Sequence, residues 1–383
     1  MTIHLDIGIS QLKKSGEELC GDTVEIQQTE DSNIIVLSDG LGSGVKANIL
    51  SQITAKTAST MLQKGSKIEE VIETLAHTLP MCQARQLAYS TFTIAQVFSD
   101  GQVYLAEYDN PQAFWGHQGK VIPTPKRERV IGGKIIKESY FTAVDGDWVV
   151  IGSDGILHAG IGSIWNLGWG WDRVSKHLEN TASKEKAAAD WAGDITRLCS
   201  HLYGGKPGDD ASVVVLKIRN PRHLTVLIGP PAQEEDDDKV VKRLIESPGE
   251  KIVCGGSTGN IVGRCMGFEV KVDLKSNDER VPPTGIIPGI DLVTEGTLTL
   301  VYAVELLTSD PEPTLLTNKK DGASRLAAKL LEADSIHFIV GTASNPAQKS
   351  PSYPSIFIYK QQIIKDLIQL LENRLRRVTI EYY

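Results

Sequence analysis

Four short acidic motifs, far apart in the chain, contain the residue types best suited to chemistry. They are Gly21-Asp22, Asp39-Gly40, Ser153-Asp154-Gly155 and Gly208-Asp209-Asp210. Each lies beside one end of a strand-like apolar run, so a packed sheet could bring the carboxylates to one edge. Any one motif alone is more typical of a turn, because Asp and Gly both favour turn conformations.

Four converging carboxylate motifs predict bound metal ions. Ionised carboxylates repel one another in a partly buried site and stay charged only when cations lie between them. Oxygen ligands favour hard divalent cations such as Mg²⁺ or Mn²⁺. Two such ions about 3.5–4 Å apart can activate water and stabilise an in-line displacement at phosphorus. Glycine at position 40 would let a main-chain carbonyl come close to a metal.

The elements that must position these motifs are short strands and grouped helices. Residues 3–9 alternate apolar with other side chains, as in a half-buried antiparallel strand. Helices are predicted over 44–63, 67–78 and 183–201. The apolar stripe of the first helix consists of Val45, Ile49, Ile53, Ala58 and Leu62. Ser183 is a reasonable N-cap for the third helix. This pattern predicts an α+β layered sandwich.

The pattern changes after residue 218. Strands and helices then alternate, so we expect two domains, 1–219 and a smaller α/β domain over 220–383. In the second, Cys254-Gly-Gly-Ser-Thr-Gly-Asn260 lies between a strand and a helix. Its amides could hold an anion, or the segment could be a capped tight turn. This accessory domain could sense a ligand, dock a partner or form a homodimer.

Composition and charge exclude several classes of protein. The 383 residues are 41% hydrophobic and 23% charged, which is typical of a globular protein. The net charge of -8 argues against a general nucleic-acid surface, which needs clustered Lys and Arg. No apolar run predicts a membrane span, and no signal-peptide pattern precedes the first strand. The five scattered cysteines predict reduced thiols, so we expect a cytoplasmic protein that binds neither nucleic acid nor membranes.

The ordered set of acidic motifs resembles the PPM-type (protein phosphatase 2C superfamily) metal-dependent Ser/Thr phosphatases, most closely their bacterial SpoIIE-like branch. Ser38-Asp-Gly-Leu-Gly-Ser-Gly44 is similar to the family's Asp-Gly-x-Gly-x-Gly motif, and the other three motifs follow in the family's order. The resemblance covers about residues 1–218. It implies an α-β-β-α phosphatase sandwich, with the smaller α/β domain after it.

The resemblance also implies a role for each acidic residue. Asp39 would bridge two Mn²⁺ or Mg²⁺ ions, and Gly40 would offer its carbonyl. Asp154 and Asp209 would hold one ion, and Asp22 would bind the other, mostly through water. Catalysis is therefore expected to depend on Asp39, Asp154 and Asp209. The implied reaction is hydrolysis of phosphoserine or phosphothreonine on a protein by direct attack of water, without a phosphoenzyme, in bacterial signalling.

Two features of the eukaryotic branch are missing from this sequence. Leu41 stands where that branch has a His proposed as general acid, and its phosphate-binding Arg has no evident counterpart. Lys46 and Arg85 could contact phosphate or could be solvated surface residues. Substrates in the SpoIIE-like branch are often phosphorylated anti-sigma antagonist-type proteins, an analogy only. A catalytically inactive phosphatase-like binding module and a metal-dependent phosphodiesterase remain as alternatives.

A segment rich in Gly and Trp, residues 159–171, follows the third acidic motif. Trp165, Trp169 and Trp171 could grip a partner protein, since Trp is enriched in binding hot spots. They could equally fold back onto the core. His158, just before this segment, is more typical of a structural histidine than of a site residue.

Overall fold

The computed structural model describes residues 2–78, 81–82, 87–88, 90–161, 165–276, 278–309, 313–343, 356–374 and 376–383. It divides into two compact units, Met1–Asn220 (unit 1) and Pro221–Tyr383 (unit 2). Within the described ranges, no helix combines the length and the apolar character needed to cross a membrane.

Unit 1 is built on two antiparallel sheets. Its strands are β1 His4–Leu12, β2 Asp22–Gln28, β3 Ser32–Gly40, β4 Met81–Cys82, β5 Leu87–Ala88, β6 Ser90–Phe98, β7 Gln102–Tyr108, β8 Phe114–His117, β9 Lys120–Ile122, β10 Arg127–Ile131, β11 Lys134–Thr142, β12 Asp147–Gly152 and β13 Ala211–Arg219. One sheet has the order β1-β13-β12-β8-β9 and the other β10-β11-β7-β6-β3-β2, while β4 and β5 form a separate pair.

Helices cover the outer faces of both sheets. They are α1 Gly44–Gln63, α2 Ile68–Thr78, α3 Asp154–Leu157, α4 Gly170–Thr181 and α5 Ala188–Leu202. The inner sheet faces pack against each other, with Leu37 and Val214 in their shared core. Helices α1 and α2 pack on the six-stranded sheet, and α4 and α5 on the five-stranded sheet. The predicted α-β-β-α sandwich is therefore confirmed.

Strand β3 shows why its sequence reads as one apolar run. Successive side chains point to opposite faces of a sheet. Ile34 and Val36 accordingly face the helices, while Ile35 and Leu37 face the other sheet. Because both faces are buried, the strand is apolar throughout residues 34–37, before Ser38 and Asp39 near its end.

The core-facing side of α1 is made of small residues. Ala47, Ser51 and Ala55 are buried against the sheet, whereas Val45 and Ile49 are each 50% exposed. The predicted stripe is therefore correct at Ala58 and Leu62, which are buried, and wrong at Val45, Ile49 and Ile53, which are exposed. Small side chains let the helix axis come close to β3, and packing distance rather than apolar size decides which side faces inward.

Helix α5 begins later than predicted. Its first residue is Ala188 and its N-cap is Ala187. Ser183, the predicted cap, instead donates a hydrogen bond from its hydroxyl to Glu185.

Unit 2 is a three-layer α/β structure. Its strands are β14 His223–Ile228, β15 Glu250–Cys254, β16 Lys271–Asp273, β17 Thr284–Ile286, β18 Leu292–Thr294, β19 Ser335–Val340 and β20 Arg377–Tyr382. Its α-helices are α6 Asp237–Glu246, α7 Gly256–Met266, α8 Thr297–Thr308, α9 Pro313–Thr317, α10 Gly322–Glu332 and α11 Ile356–Asn373, with 3-10 turns at Glu234–Asp236 and Leu274–Ser276. The sheet order is β16-β17-β18-β15-β14-β19-β20.

The sheet of unit 2 is mainly parallel. Strands β18, β15, β14, β19 and β20 run parallel, and β16 and β17 add an antiparallel pair at one edge. Helices α6 and α7 pack on one face, and α8, α10 and α11 pack on the other. The α/β class predicted for this region is confirmed.

Candidate metal centre

The β2–β3 hairpin brings the first two acidic motifs together. Asp22 and Asp39 are direct partners in its antiparallel register, so their side chains share one face of the sheet. Strand β3 then ends at Gly40. A Cβ atom there would lie 2.1 Å from the Ala47 carbonyl oxygen, so only glycine permits this approach of β3 to α1.

The five-stranded sheet supplies the other two motifs. Strand β12 ends just before Asp154, and β13 begins just after Asp210. The Ser153 amide donates to the Ser212 carbonyl at 2.9 Å, and the Ser212 amide donates to the Ser153 hydroxyl at 2.9 Å. This reciprocal pair fixes Asp154 beside the Asp209-Asp210 turn.

Side-chain hydrogen bonds join the two halves of the site. Gln11 on β1 donates from Nε2 to the Asp22 carbonyl (3.3 Å) and to the Ser212 hydroxyl (2.9 Å). The Lys14 amide donates to Oδ1 of Asp210 at 2.9 Å. All four acidic motifs therefore meet at one edge of the sandwich.

The adjacent residues Asp209 and Asp210 have different environments. Asp210 is buried. One of its carboxylate oxygens accepts the Lys14 amide, and the other has no hydrogen-bond partner in the described part of the chain. Asp209 is partly exposed and has a carboxylate oxygen within 4.8 Å of ligand atoms of Asp154 and His158. Asp210 thus anchors the turn, while Asp209 faces Asp154 of the third motif.

The electrostatics of the cluster reflect burial and mutual repulsion. Burial, followed by the charges of Asp22, Asp154 and Asp209, raises the pKa of Asp39 to about 10. Burial and then Asp154 raise the pKa of Asp209. Among the described residues, no lysine or arginine forms an ion pair with any of these four carboxylates.

Asp22 is the most deeply buried carboxylate of the four. It is 3% exposed, and neither carboxylate oxygen has a hydrogen-bond partner among the described residues. Burial raises its pKa to about 6. The hydroxyls of Ser153 and Ser212 lie near enough to oppose this rise, although neither has the geometry of a hydrogen bond. Asp22 therefore has unused acceptor capacity inside the site.

His158 lies in the cluster, contrary to the structural role that its sequence context suggested. Its Nδ1 is 3.6 Å from Oδ2 of Asp154, one helical turn earlier. The i, i+4 spacing after the third motif is the signal that could have identified it.

Lys46 and Arg85 are the two residues that the sequence suggested for contact with phosphate. Lys46 is exposed near the start of α1, and no ion pair of its side chain is found in the described part of the chain. Arg85 lies outside the described residues. Contact of either residue with phosphate remains a prediction.

The Gly- and Trp-rich segment packs mainly inward. Trp169 is buried, Trp171 stacks on Phe114 with ring centroids 4.8 Å apart, and Trp165 packs partly buried against the same core. Among the described residues of this segment, the exposed large apolar side chains are Leu167, at 85%, and Ile161, at 50%. Partner binding by the three Trp residues remains a prediction, with little of Trp169 available to a partner.

Similarity to known proteins agrees with this geometry. Residues 29–219 match the family model of SpoIIE, described as Stage II sporulation protein E. Similar solved structures include the PP2C phosphatase domain, with a fragment of the regulatory domain, of the cell fate determinant SpoIIE from Bacillus subtilis. That structure has 18% identity and a TM-score of 0.49, and the match covers 57% of this chain and 63% of that chain.

Two further solved structures are similar at comparable levels. The RsbU and RsbW domains of a Mycobacterium tuberculosis protein have 16% identity and a TM-score of 0.48, over 64% of this chain and 68% of that one. The SiaA PP2C domain of Pseudomonas aeruginosa has 16% identity and a TM-score of 0.44, over 55% and 85%. No curated protein sequence matches the chain significantly. With the SpoIIE match spanning most of unit 1 and the acidic motifs in the family's order, unit 1 belongs to the SpoIIE family of PPM-type phosphatases.

Proposed function

We propose that unit 1 is an active, metal-dependent phosphatase that hydrolyses phosphoserine or phosphothreonine on a protein. Two Mn²⁺ or Mg²⁺ ions would be held by the carboxylates of Asp22, Asp39, Asp154 and Asp209 and by the Gly40 carbonyl. The observation that supports this proposal is the meeting of four carboxylate motifs at one edge, where no lysine or arginine among the described residues is paired with Asp22, Asp39, Asp154 or Asp209.

The donor set fits hard divalent cations. Asp22 has buried oxygens without a donor among the described residues, and Asp39 has a strongly raised pKa because it is buried and other carboxylates face it. Divalent ions would remove both penalties, since they neutralise the charges and occupy the free lone pairs. Carboxylate and carbonyl oxygens are the ligands that Mg²⁺ and Mn²⁺ prefer.

The proposed roles follow the position of each residue. Asp39, opposite Asp22 in the hairpin register, would contact both ions. Asp154 and Asp209 would hold one ion, and Asp22 the other, mostly through water. When bound, the ions supply positive charge to the phosphoryl oxygens and activate water as the nucleophile. The protein itself keeps these carboxylates at fixed positions through the Ser153–Ser212 pair and Gln11.

The proposed substrate is a phosphorylated protein of the anti-sigma antagonist type, in bacterial signalling. This substrate class comes by analogy with the SpoIIE-like branch, since a fold by itself does not define a substrate. Comparing the phosphoproteome of a strain lacking the gene with its parent would test it. A phosphoserine or phosphothreonine site that accumulates in the deletion strain, and that the purified protein dephosphorylates, would identify the substrate.

The activity itself is tested with p-nitrophenyl phosphate and a bis-ester analogue. We expect Mn²⁺-dependent release of p-nitrophenol from the monoester, lost by on the order of 10²–10³-fold in Asp39→Asn. The control is Asp190→Asn, the same substitution at an exposed position on α5. Preferential cleavage of the bis-ester would favour a phosphodiesterase. Full activity in Asp39→Asn, or none in the metal-loaded wild type, would reject the proposal.

A further inference from the structure

Unit 2 contains a concave surface that collects positive charge. A cavity of about 310 Å³ is lined by Asp273, Lys275, Thr317, Lys319, Lys320 and Arg325. We call it the basic cavity. Four of these six residues are cations and one is a carboxylate, so the lining is positive at pH 7 although the whole chain has a net charge of -8.

One wall of the basic cavity is held by a buried polar network. The Ser276 hydroxyl donates to the Asp273 carbonyl at 2.6 Å and accepts the Thr284 amide at 2.7 Å. Ser276 and Thr284 are almost fully buried. The 3-10 turn that carries Lys275 is thereby fixed to the β16–β17 pair.

The other wall is the connection from α9 to α10. Asp321 is the N-cap of α10, and its carboxylate accepts the Ser324 amide at 2.8 Å. The Lys319 amide donates to the Leu316 carbonyl at 3.1 Å. A Cβ atom on Gly322 would lie 3.1 Å from Cγ2 of Thr284, so this wall packs directly on the first.

The four cations of the basic cavity have no ion-pair partner among the residues that the structure describes. Asp273 accepts the Lys275 amide at 3.1 Å, and Asp321 serves as the N-cap. Further along α10, by contrast, Lys329 pairs with Glu250 at 2.8 Å. Converging like charges without a partner favour an anion between them.

We propose that the basic cavity binds a small phosphorylated compound with at least two negative charges. Lys275, Lys319 and Lys320 would act as point charges, and the planar Arg325 guanidinium would donate paired hydrogen bonds to a phosphate group. The volume is at the lower end of the range for small-molecule sites, about 300–1,000 Å³. A small concave surface suits such a compound better than an acidic protein, which would need a broader interface.

Isothermal titration calorimetry of the full chain tests this proposal with pyrophosphate, ATP and fructose 1,6-bisphosphate. EDTA in the buffer prevents phosphates from binding through divalent ions at the carboxylates of unit 1. We expect saturable binding of at least one compound, weakening as salt is added because exposed charges are screened. The three compounds distinguish a bare polyphosphate, a nucleotide and a sugar phosphate. Adenosine, which carries no phosphate, should not bind.

Charge-reversal variants locate the binding. Lys319→Glu/Lys320→Glu should lower the affinity by about tenfold or more, because contacts to charged phosphates are the stronger hydrogen bonds. The matched control is Lys242→Glu/Lys365→Glu, the same charge change at exposed positions of unit 2 outside the lining. Circular dichroism verifies that both variants are folded. Arg325→Gln, which removes the guanidinium alone, should also weaken binding.

Three outcomes would overturn the proposal. The first is the absence of saturable binding of all three compounds to the wild type. The second is an equal loss of affinity in the cavity variant and in the control variant. The third is a poly-glutamate peptide that binds more tightly than every small compound, which would assign the surface to an acidic protein partner.

Discussion

Both units gather side chains of one charge, but in opposite surroundings. In unit 1, Asp22 and Asp39 are largely buried and their pKa values are raised. In unit 2, Lys319 and Lys320 are exposed, and water and salt weaken their repulsion. Burial therefore decides how strongly a cluster of like charges depends on a bound ion of opposite charge. Removing a carboxylate in unit 1 should change metal-dependent activity and stability strongly. Removing a cation in unit 2 should mainly change the affinity for the proposed phosphorylated ligand.

The largest expected effect is a difference in activity between substitutions at Asp209 and at Asp210, the two neighbouring carboxylates of the fourth motif. Asp209→Asn should lower Mn²⁺-dependent turnover of p-nitrophenyl phosphate by on the order of 10²–10³-fold, because it removes a proposed metal ligand. Asp210→Asn should retain most of the activity, since an Asn side-chain oxygen can still accept the Lys14 amide. The reverse order of activities would assign the ligand to Asp210.

Metal binding to the acidic motifs should stabilise unit 1, and the stabilisation should require the buried carboxylates Asp22 and Asp39. At Mn²⁺ about 100-fold above its dissociation constant, the stabilisation is about 2.7 kcal/mol. For a unit of this size, that corresponds to a rise in Tm of roughly 5–10 °C. Differential scanning calorimetry with and without EDTA measures it.

The matched variant for the metal measurement is Asp39→Asn. It should show little rise in Tm with Mn²⁺, and without metal it should melt above the wild type, because it relieves crowding among buried carboxylates. A wild-type Tm that does not respond to Mn²⁺ would contradict the role of the buried cluster.

Local signals explain which parts of the site could be predicted from sequence. Each acidic motif joins Asp or Gly to the end of an apolar run, so Asp39 and Asp154 stand out without any knowledge of tertiary contacts. Their convergence at one sheet edge was inferred from these strand-end positions, and the role of each residue came from the resemblance to a family. His158 was discounted because one histidine carries no pattern, and its contact with Asp154 depends on a helix of four residues.

Features decided by packing between distant segments could not be predicted. The buried side of α1 is chosen by how closely Ala47 approaches Gly40, and small residues give no apolar signal. The basic cavity joins Lys275 to Lys319 and Lys320, which become neighbours only when Gly322 packs on Thr284. Neither segment has a motif by itself.

The exposed cluster should tolerate charge reversal without loss of stability. We expect Lys319→Glu/Lys320→Glu to change the ligand-free Tm by no more than about 2 °C, because surface substitutions away from packed features usually change stability by about 0.5 kcal/mol or less. A fall of about 10 °C would show that these lysines support the fold, and the proposed contrast between buried and exposed clusters would then be wrong.

The half-buried His177 in unit 1 provides the smallest test. Burial, followed by the charge of Lys186, lowers the pKa of His177 below its usual 6.5, and its buried Nε2 has no hydrogen-bond partner among the described residues. The unfolded chain therefore takes up a proton more readily than the folded protein as the pH falls. The contribution of neutral His177 to the free energy of unfolding is therefore complete above about pH 6.5 and decreases as the pH falls below it.

Urea denaturation of the metal-free protein at pH 7.5 and pH 5.5 measures this loss as a difference between variants, because the raised pKa values of Asp22 and Asp39 favour the folded state at the lower pH. Compared with the wild type, His177→Gln should raise the midpoint at pH 5.5 relative to the midpoint at pH 7.5. His201→Gln is the matched control, since that histidine is exposed near the end of α5. If both variants kept the wild-type difference, burial of one base would not contribute measurably. The buried carboxylates Asp22 and Asp39 would then be the groups that make the stability of unit 1 depend on pH and on bound metal.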